Sequence, residues 1–342
     1  MSQQPSPPRD GSPSVNTPPT PPVNTPPTPT DDNRLPPLWH PTSPPPPPPA
    51  SAPSSPTYPR ALYDFITTTH ARTGGALGSL LDVGCGGAGE VLEALAPRFE
   101  QALGVGKGFE YDAAGTRLAD AEVRTRTGRA VRRKCGLPDR LVADAGDGVG
   151  EWDLVVVADL VHRLYMRRFW RQARRLLKPG GSVAIFAKCR YVFHPSMPEA
   201  ERLQNIYDEF LDHTVSYWEP FNYKATREFY RDFTLPWSRG VGASQYFPEE
   251  LFERHTWNVK GALDGEGGED FFGGSQTLTY RQLEELVENT DPVRRMRKAR
   301  ADLEGTPRDP VKNLIFALKA VTGAGAELRV GAGYCLLFFK RK

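Results

Sequence analysis

Residues 80–89 of this 342-residue chain read Leu-Leu-Asp-Val-Gly-Cys-Gly-Gly-Ala-Gly. An apolar run ends in Asp82 and Val83, a glycine-rich turn opens with Gly84, Cys85 and Gly86, and residues 90–95 follow with helical spacing. Glycine has no Cβ, so such a turn can take positive φ and let a ligand lie against bare backbone, at the mouth of the helix that follows. This is the expected first loop of a nucleotide-cofactor fold. A glycine turn alone also serves dinucleotides and phosphates. Asp82 narrows the choice, because a carboxylate sits badly beside a pyrophosphate and well beside an ammonium or sulfonium group.

Strands and helices must alternate to hold that turn. Residues 101–105, 140–144, 153–158 and 182–186 read as strands, the third of them apolar throughout, as a strand covered on both faces should be. Residues 166–178 read as a helix with Phe169, Ala173, Leu176 and Leu177 on one face, stopped by Lys178-Pro179-Gly180-Gly181. The succession implies an α/β fold, a mostly parallel sheet with helices on both faces, which binds its ligand at the carboxyl ends of the strands. Gly84, Gly106, Asp144 and Ala158 to His162 all fall at such ends. Residues 333–339 supply a closing strand.

Composition limits the folded part. Of 34 prolines, 23 precede Arg60. Residues 1–57 also carry an imperfect repeat from Val15 and again from Val23, then a run of six prolines from Pro44. With so few aliphatic side chains this segment is expected to be a disordered, polyproline-biased tail, read either as a solubilising extension or as a ligand for an SH3- or WW-type partner. Residues 58–342 suit one domain: a cofactor core at about 76–190, a substrate lid at about 191–325, and the closing strand from 326. In the lid an amphipathic stretch (Leu203, Ile206, Tyr207, Phe210, Leu211) reads as core. Tyr217, Trp218 and Tyr223 crowd a Pro-containing loop that could roof an acceptor pocket.

A formal charge of +2 argues against a dedicated nucleic-acid surface. The basic stretch from Arg124 to Lys134 reads as a solvated insertion. Cys85, Cys135, Cys189 and Cys335 lack metal-ligand spacing, so no metal is expected. No uncharged run approaches the ~18 residues of a membrane span. These features, with no apolar leader, point to a reducing cytoplasmic location.

The Asp-x-Gly-x-Gly turn resembles the first motif of class I S-adenosyl-L-methionine (SAM)-dependent methyltransferases, and Leu-Lys-Pro-Gly-Gly before residue 182 resembles the turn before their fifth strand. A longer stretch resembles the trans-aconitate methyltransferase-like branch. It is carried by Tyr58-Pro59 with Leu62-Tyr63, residues 95–99, Ala158 with His162, His194-Pro195, Trp218-Glu219-Pro220 and Tyr230-Arg231-Asp232.

The resemblance implies a Rossmann-like fold with a seven-stranded sheet and SAM as cofactor. Asp82, Gly84, Cys85, Gly86, Gly106, Asp144 and Ala158 are implied to line the cofactor, with Tyr63, His162, Trp218 and Tyr223 near a small-molecule acceptor. Asp144 would accept from the adenine amino group, or serve only as a helix cap. His162 is the candidate general base, or a packed histidine that shapes its loop.

The chain departs from the family pattern where Gly106 replaces the acid that binds the ribose hydroxyls; Glu110 or Asp112 could reach in instead. It departs again where Phe221-Asn222 replaces Gly-Arg, removing a partner for a carboxylate acceptor. Three readings remain, of which an RNA- or protein-modifying enzyme recruited through the proline-rich tail rests on Arg124 to Lys134 alone. Of the remaining two, one is methyl transfer to oxygen, carboxylate or hydroxyl, of a small metabolite. The other is a protein of the same fold that no longer methylates, such as a cyclase, an isomerase or a binding-only relic.

Overall fold

The computed structural model describes residues 58–85, 89–106, 123–129, 131–135, 150–219 and 222–342. Gly86, Asp144, the expected strand at 140–144 and the proline-rich segment 1–57 lie outside these residues. Helix α1 (Arg60–Arg72) leads into strand β1 (Ser79–Val83); then come α2 (Glu90–Leu95), β2 (Gln101–Gly106), β3 (Arg132–Cys135), β4 (Trp152–Ala158), α3 (Met166–Leu176) and β5 (Leu177–Phe193). The second half holds α4 (Ala200–His213), α5 (Asn222–Glu228), β6 (Glu253–Trp257), β7 (Gln276–Leu278), α6 (Tyr280–Glu288), α7 (Asp291–Ala299), α8 (Pro310–Thr322) and β8 (Leu328–Lys340).

Strand order in the sheet is β3-β2-β1-β4-β5-β8-β6, with β7 added on β8. The first five strands in that order pair in parallel, and β8 runs antiparallel to β5, β6 and β7. The path itself has the expected seven strands, and β7 is an eighth among the described residues. Side chains alternate across the sheet as the two-residue repeat of a strand requires. Leu80, Leu154 and Val156 face α1 and α2 with Leu62, Ile66 and Phe99, while Leu81, Val155 and Val157 face α3 with Phe169 and Trp170. On α3 the buried positions are Met166, Phe169, Trp170, Ala173 and Leu176, a single helical stripe. Burying aromatic side chains of this size contributes roughly 2–3 kcal/mol each. A third core gathers α4, α6, α7 and α8 around Phe193, Leu328 and Val330, the ends of β5 and β8.

Two sequence expectations need correction. The helix stops ahead of Lys178 to Gly181 as expected, ending at Leu176, but the strand after it begins earlier than residue 182. Strand β5 already pairs at Leu177 opposite Trp152 and resumes at Ser182 opposite Leu154, so the Pro-Gly-Gly residues form a bulge within it. The basic stretch, read as a solvated insertion, contains β3, paired in parallel with β2. Among the described residues β2 is the one strand that pairs with it.

Candidate functional site

Strands β1, β2 and β4 end beside one another, and the glycine turn leaves from the first of them. Gly84 takes φ 88° and donates its N–H to the Val105 carbonyl at 2.6 Å. A Cβ there would stand 2.2 Å from Leu160 Cδ2, so only glycine fits. Across the gap, a Cβ on Gly106 would lie 3.1 Å from the Cys85 amide nitrogen. The turn and the end of β2 thus meet backbone to backbone. Asp82, at the end of this strand, is 1% exposed.

Around this opening stands a polar cluster drawn from distant parts of the chain. Glu90, the first residue of α2, accepts from the Tyr58 amide at 2.5 Å and from the Tyr63 hydroxyl at 3.2 Å. Asp159, just past β4, accepts from the Tyr58 hydroxyl at 2.5 Å through Oδ2 and from the Lys188 amide at 3.1 Å through Oδ1. Its φ of 46° is left-handed, an uncommon state for a non-glycine residue and one that clusters at functional sites. The rings of Tyr58, Tyr63, Phe186 and Tyr334 pack on one another at centroid distances of 5.0–6.4 Å.

Asp159 keeps an accessible face while protein encloses it elsewhere. That enclosure raises its carboxyl above the usual range against the opposing donation from Tyr58, and burial lowers the Lys188 ammonium. Burial also raises the Tyr63 phenol, helped by the charges of Glu90, Asp82 and Asp159. Tyr334 is pushed up to about 12 by burial and by Asp159 and Glu90. The charges of all three carboxylates act on the Tyr63 phenol.

His162 follows Asp159 on a short turn over Val161–Arg163. Its side chain is 8% exposed, with Nε2 3.4 Å from Glu219 Oε2. Glu219 also accepts from Arg163 Nε at 3.1 Å and from Arg295 Nη2 at 2.6 Å. The His162 hydrogen bond and the two arginines hold Glu219 at about 2 against its burial. His162 Nδ1 is buried and finds no hydrogen-bond partner among the described residues. The same histidine lines a cavity of about 310 Å³ with Tyr165, Met166, Tyr230 and Phe233.

The structure brings together Tyr63, Asp82, Gly84, Cys85, Gly106 and Ala158 at the strand ends. It places Trp218 and Tyr223 elsewhere. Trp218 donates to Thr214 Oγ1 at 3.2 Å and packs edge-on against Tyr223, which donates to Asp212; both rings lie on the third core with α4. Glu219, next to Trp218, is the residue of that loop that reaches His162. Sequence reasoning passed over Asp159, Glu90 and Lys188. An acid at the carboxyl end of a wholly apolar strand was the available signal for Asp159; Glu90 and Lys188 carried none.

Residues 81–183 match the family model of a methyltransferase domain. No curated protein matches the chain. Among solved structures, a protein described as a type II methyltransferase from Anaeromyxobacter dehalogenans is 20% identical, covers 83% of this chain and 96% of its own, and superposes with a TM-score of 0.52. The core has the class I methyltransferase fold. The YcgJ protein of Bacillus subtilis is 13% identical over 82% of this chain and 99% of its own, TM-score 0.40. A geranyl diphosphate C-methyltransferase from Streptomyces coelicolor is 15% identical over 82% and 79%, TM-score 0.35.

The cofactor of such a domain is SAM. Its amino-acid end carries an ammonium beside a sulfonium, and an opening ringed by Asp82, Glu90 and Asp159 fits that pair of cations. The backbone of Gly84 and Cys85 adjoins the end of β2 at Gly106. Among the described residues no helix is long and apolar enough to cross a membrane.

Proposed function

We propose that this chain is a SAM-dependent methyltransferase that moves a methyl group to an oxygen of a small-molecule metabolite. The observation that carries this reading is the convergence of Asp82, Glu90 and Asp159 on the mouth that Tyr58 and Tyr63 frame. Like charges side by side cost energy unless cations join them; the Lys188 ammonium offsets Asp159 and Glu90 in part, and the cofactor's ammonium and sulfonium would add to it.

In this reading Asp82, Glu90 and the Gly84–Cys85 backbone hold the amino-acid end of the cofactor. The chemistry that SAM supplies is an electrophilic methyl group on sulfonium. The chain's own contribution is alignment, since in-line displacement gains most of its rate from holding nucleophile and methyl in contact. A carboxylate acceptor arrives ionised, whereas a hydroxyl benefits from a base. His162, whose Nε2 meets Glu219, is the residue this reading assigns as that base; its Nδ1 is buried, so taking a proton there requires the turn at Val161–Arg163 to shift. Against the alternative of a fold that no longer methylates stands this imidazole. The acceptor is expected among the small acids and hydroxyl compounds that the trans-aconitate methyltransferase-like resemblance implies.

Calorimetric titration with SAM, followed by transfer from methyl-labelled SAM to a panel of small carboxylic acids and phenols, tests the reading. Binding with labelled product is expected. Binding without product from any acceptor would favour the non-methylating alternative, and absence of binding would remove both.

A further inference from the structure

Phe229 and Tyr230 are successive aromatic residues in the left-handed region, with φ 52° and 56°. Bulky side chains avoid this conformation, and a pair of them in sequence persists only where surrounding groups dictate it. Here the surroundings do. Arg254, on β6, donates from Nη1 to the Phe229 carbonyl at 3.0 Å and to the Tyr230 carbonyl at 2.8 Å. Cys335, on β8, donates its thiol to the same Phe229 carbonyl at 3.1 Å. The Phe229 ring occupies the place of a side chain on β8: a Cβ on Gly333 would stand 2.7 Å from Phe229 Cε1.

The outcome of the strain is the placement of Tyr230. Its ring lines the 310 Å³ cavity with His162, and its phenol is raised by burial and by the charge of Asp159. His162, on the turn that follows Asp159, carries the cavity wall back to the end of β4. We propose that this cavity seats the methyl acceptor, that the acceptor is an un-ionised aromatic hydroxyl compound, and that Arg254 is a positioning residue that holds Tyr230 as the cavity wall. The proposal rests on the methyltransferase reading above and narrows its acceptor.

Size and wall chemistry favour one or two flat rings: Val161, Leu164, Met166 and Phe233 are apolar, and Tyr165 and Tyr230 offer faces for stacking. Beside His162, Glu219 already takes Arg163 and Arg295, and the rest of the wall carries charge of both signs, Arg167 and Arg231 against Asp232. Arg231 lines the cavity too, but it is 73% exposed and faces Glu228. The acceptor oxygen forms its bond to the methyl carbon as the carbon–sulfur bond breaks, with that electron pair staying on sulfur. The hydroxyl proton passes to solvent water.

The test uses full-length protein saturated with S-adenosylhomocysteine and 4-nitrophenol as the probe, its binding read from the phenol absorption band. Wild type is expected to bind the probe, and Arg254→Met and Tyr230→Ala to bind it about tenfold more weakly. Arg254→Lys, which keeps a cationic donor for the two carbonyls, should recover most of the loss, and affinity for S-adenosylhomocysteine, measured separately by calorimetry, should stay within twofold throughout. Unchanged probe binding in Tyr230→Ala and both Arg254 variants would overturn the assignment of the corner and leave the methyltransferase reading standing. Uptake of benzoate or benzylamine in preference to 4-nitrophenol would overturn the acceptor class. Failure of wild type to bind S-adenosylhomocysteine would instead bring down the methyltransferase reading itself. Should Arg254→Met not fold, Tyr230→Ala and Arg254→Lys decide the matter.

Discussion

The hydroxyl of Tyr58 donates to Asp159 Oδ2 at 2.5 Å, tying the segment ahead of α1 to the end of β4 across 101 positions of sequence. The bond satisfies a carboxylate that its surroundings work against. Enclosure raises the Asp159 carboxyl, so the folded state holds that proton more tightly than the unfolded chain does. The stability linked to this group is fully present below about pH 4, where both states are protonated, and is lost as pH rises through the raised value.

Asp159→Asn removes that loss. Its thermal midpoint is expected to exceed that of wild type at pH 7, with the gap closing as the pH approaches 4. SAM affinity should fall several-fold in the same variant, because one of three carboxylates facing the cofactor's cations is gone. A midpoint below wild type at both pH values would show that Asp159 is held for stability rather than for its charge.

Glu219 behaves in the opposite sense. The His162 hydrogen bond, with Arg163 and Arg295, holds it at about 2, below its value in an unfolded chain. Its contribution is present above about pH 4.5 and lost as pH falls through about 2. Glu219→Gln is expected to cost about 1–3 kcal/mol at pH 7, read as a shift of the denaturant midpoint, and to cost progressively less below pH 4.5. A difference independent of pH would refute the charge-based account of this bridge.

Parts of this arrangement were legible in the amino-acid order and parts were not, for physical reasons. Strands β1, β4 and β8 announce themselves because each is apolar on consecutive residues, the mark of burial on both faces. The turn at Gly84 is legible because glycine is the residue that positive φ demands. Strand β3 is hidden, since Arg132, Arg133 and Lys134 show no alternation and their pairing with β2 is a property of the whole sheet. The Pro179-Gly180 bulge reads as a stop because the pairing that carries β5 past it comes from β4. The site divides the same way. Asp82 and His162 stand in recognisable local patterns, whereas the meeting of Tyr58, Glu90, Asp159 and Lys188 is made by tertiary packing. The left-handed state of Tyr230 depends on an arginine 24 residues further on.

Lys340 offers a test away from the site. It ends β8, 6% exposed, and its Nζ finds no hydrogen-bond partner among the described residues. Burial lowers its ammonium, so stability rises with pH until the amine is neutral in the unfolded chain as well, near about 10.4. Lys340→Met keeps the length of the side chain and removes the buried charge. It is expected to gain about 1 kcal/mol at pH 7 by equilibrium denaturation, with the gain shrinking toward pH 10. A loss of stability would mean that the ammonium has a partner the described residues do not show.

Substitution of Gly106 tests how the proposed cofactor's ribose is held. Strand β2 ends there without an acid, and residues 107–122, with Glu110 and Asp112, lie outside the described residues. A new side chain at 106 does two things. Its Cβ presses on the Cys85 amide at 3.1 Å, which moves the turn by a few tenths of an ångström, and its head group reaches the strand mouth. Gly106→Ala isolates the first effect and should weaken SAM binding slightly. Gly106→Asp adds a carboxylate that can accept from a ribose hydroxyl, a charge-assisted bond of about 1.5–3 kcal/mol, and should bind SAM about tenfold or more tighter than the alanine variant. Calorimetry on both variants, with Glu110→Gln and Asp112→Asn beside them, separates the cases. If either of those acids already holds the ribose, its removal weakens binding and the new aspartate gains nothing, because two carboxylates at close range repel. If none of the four changes affects SAM affinity, the ribose does not lie at the end of β2.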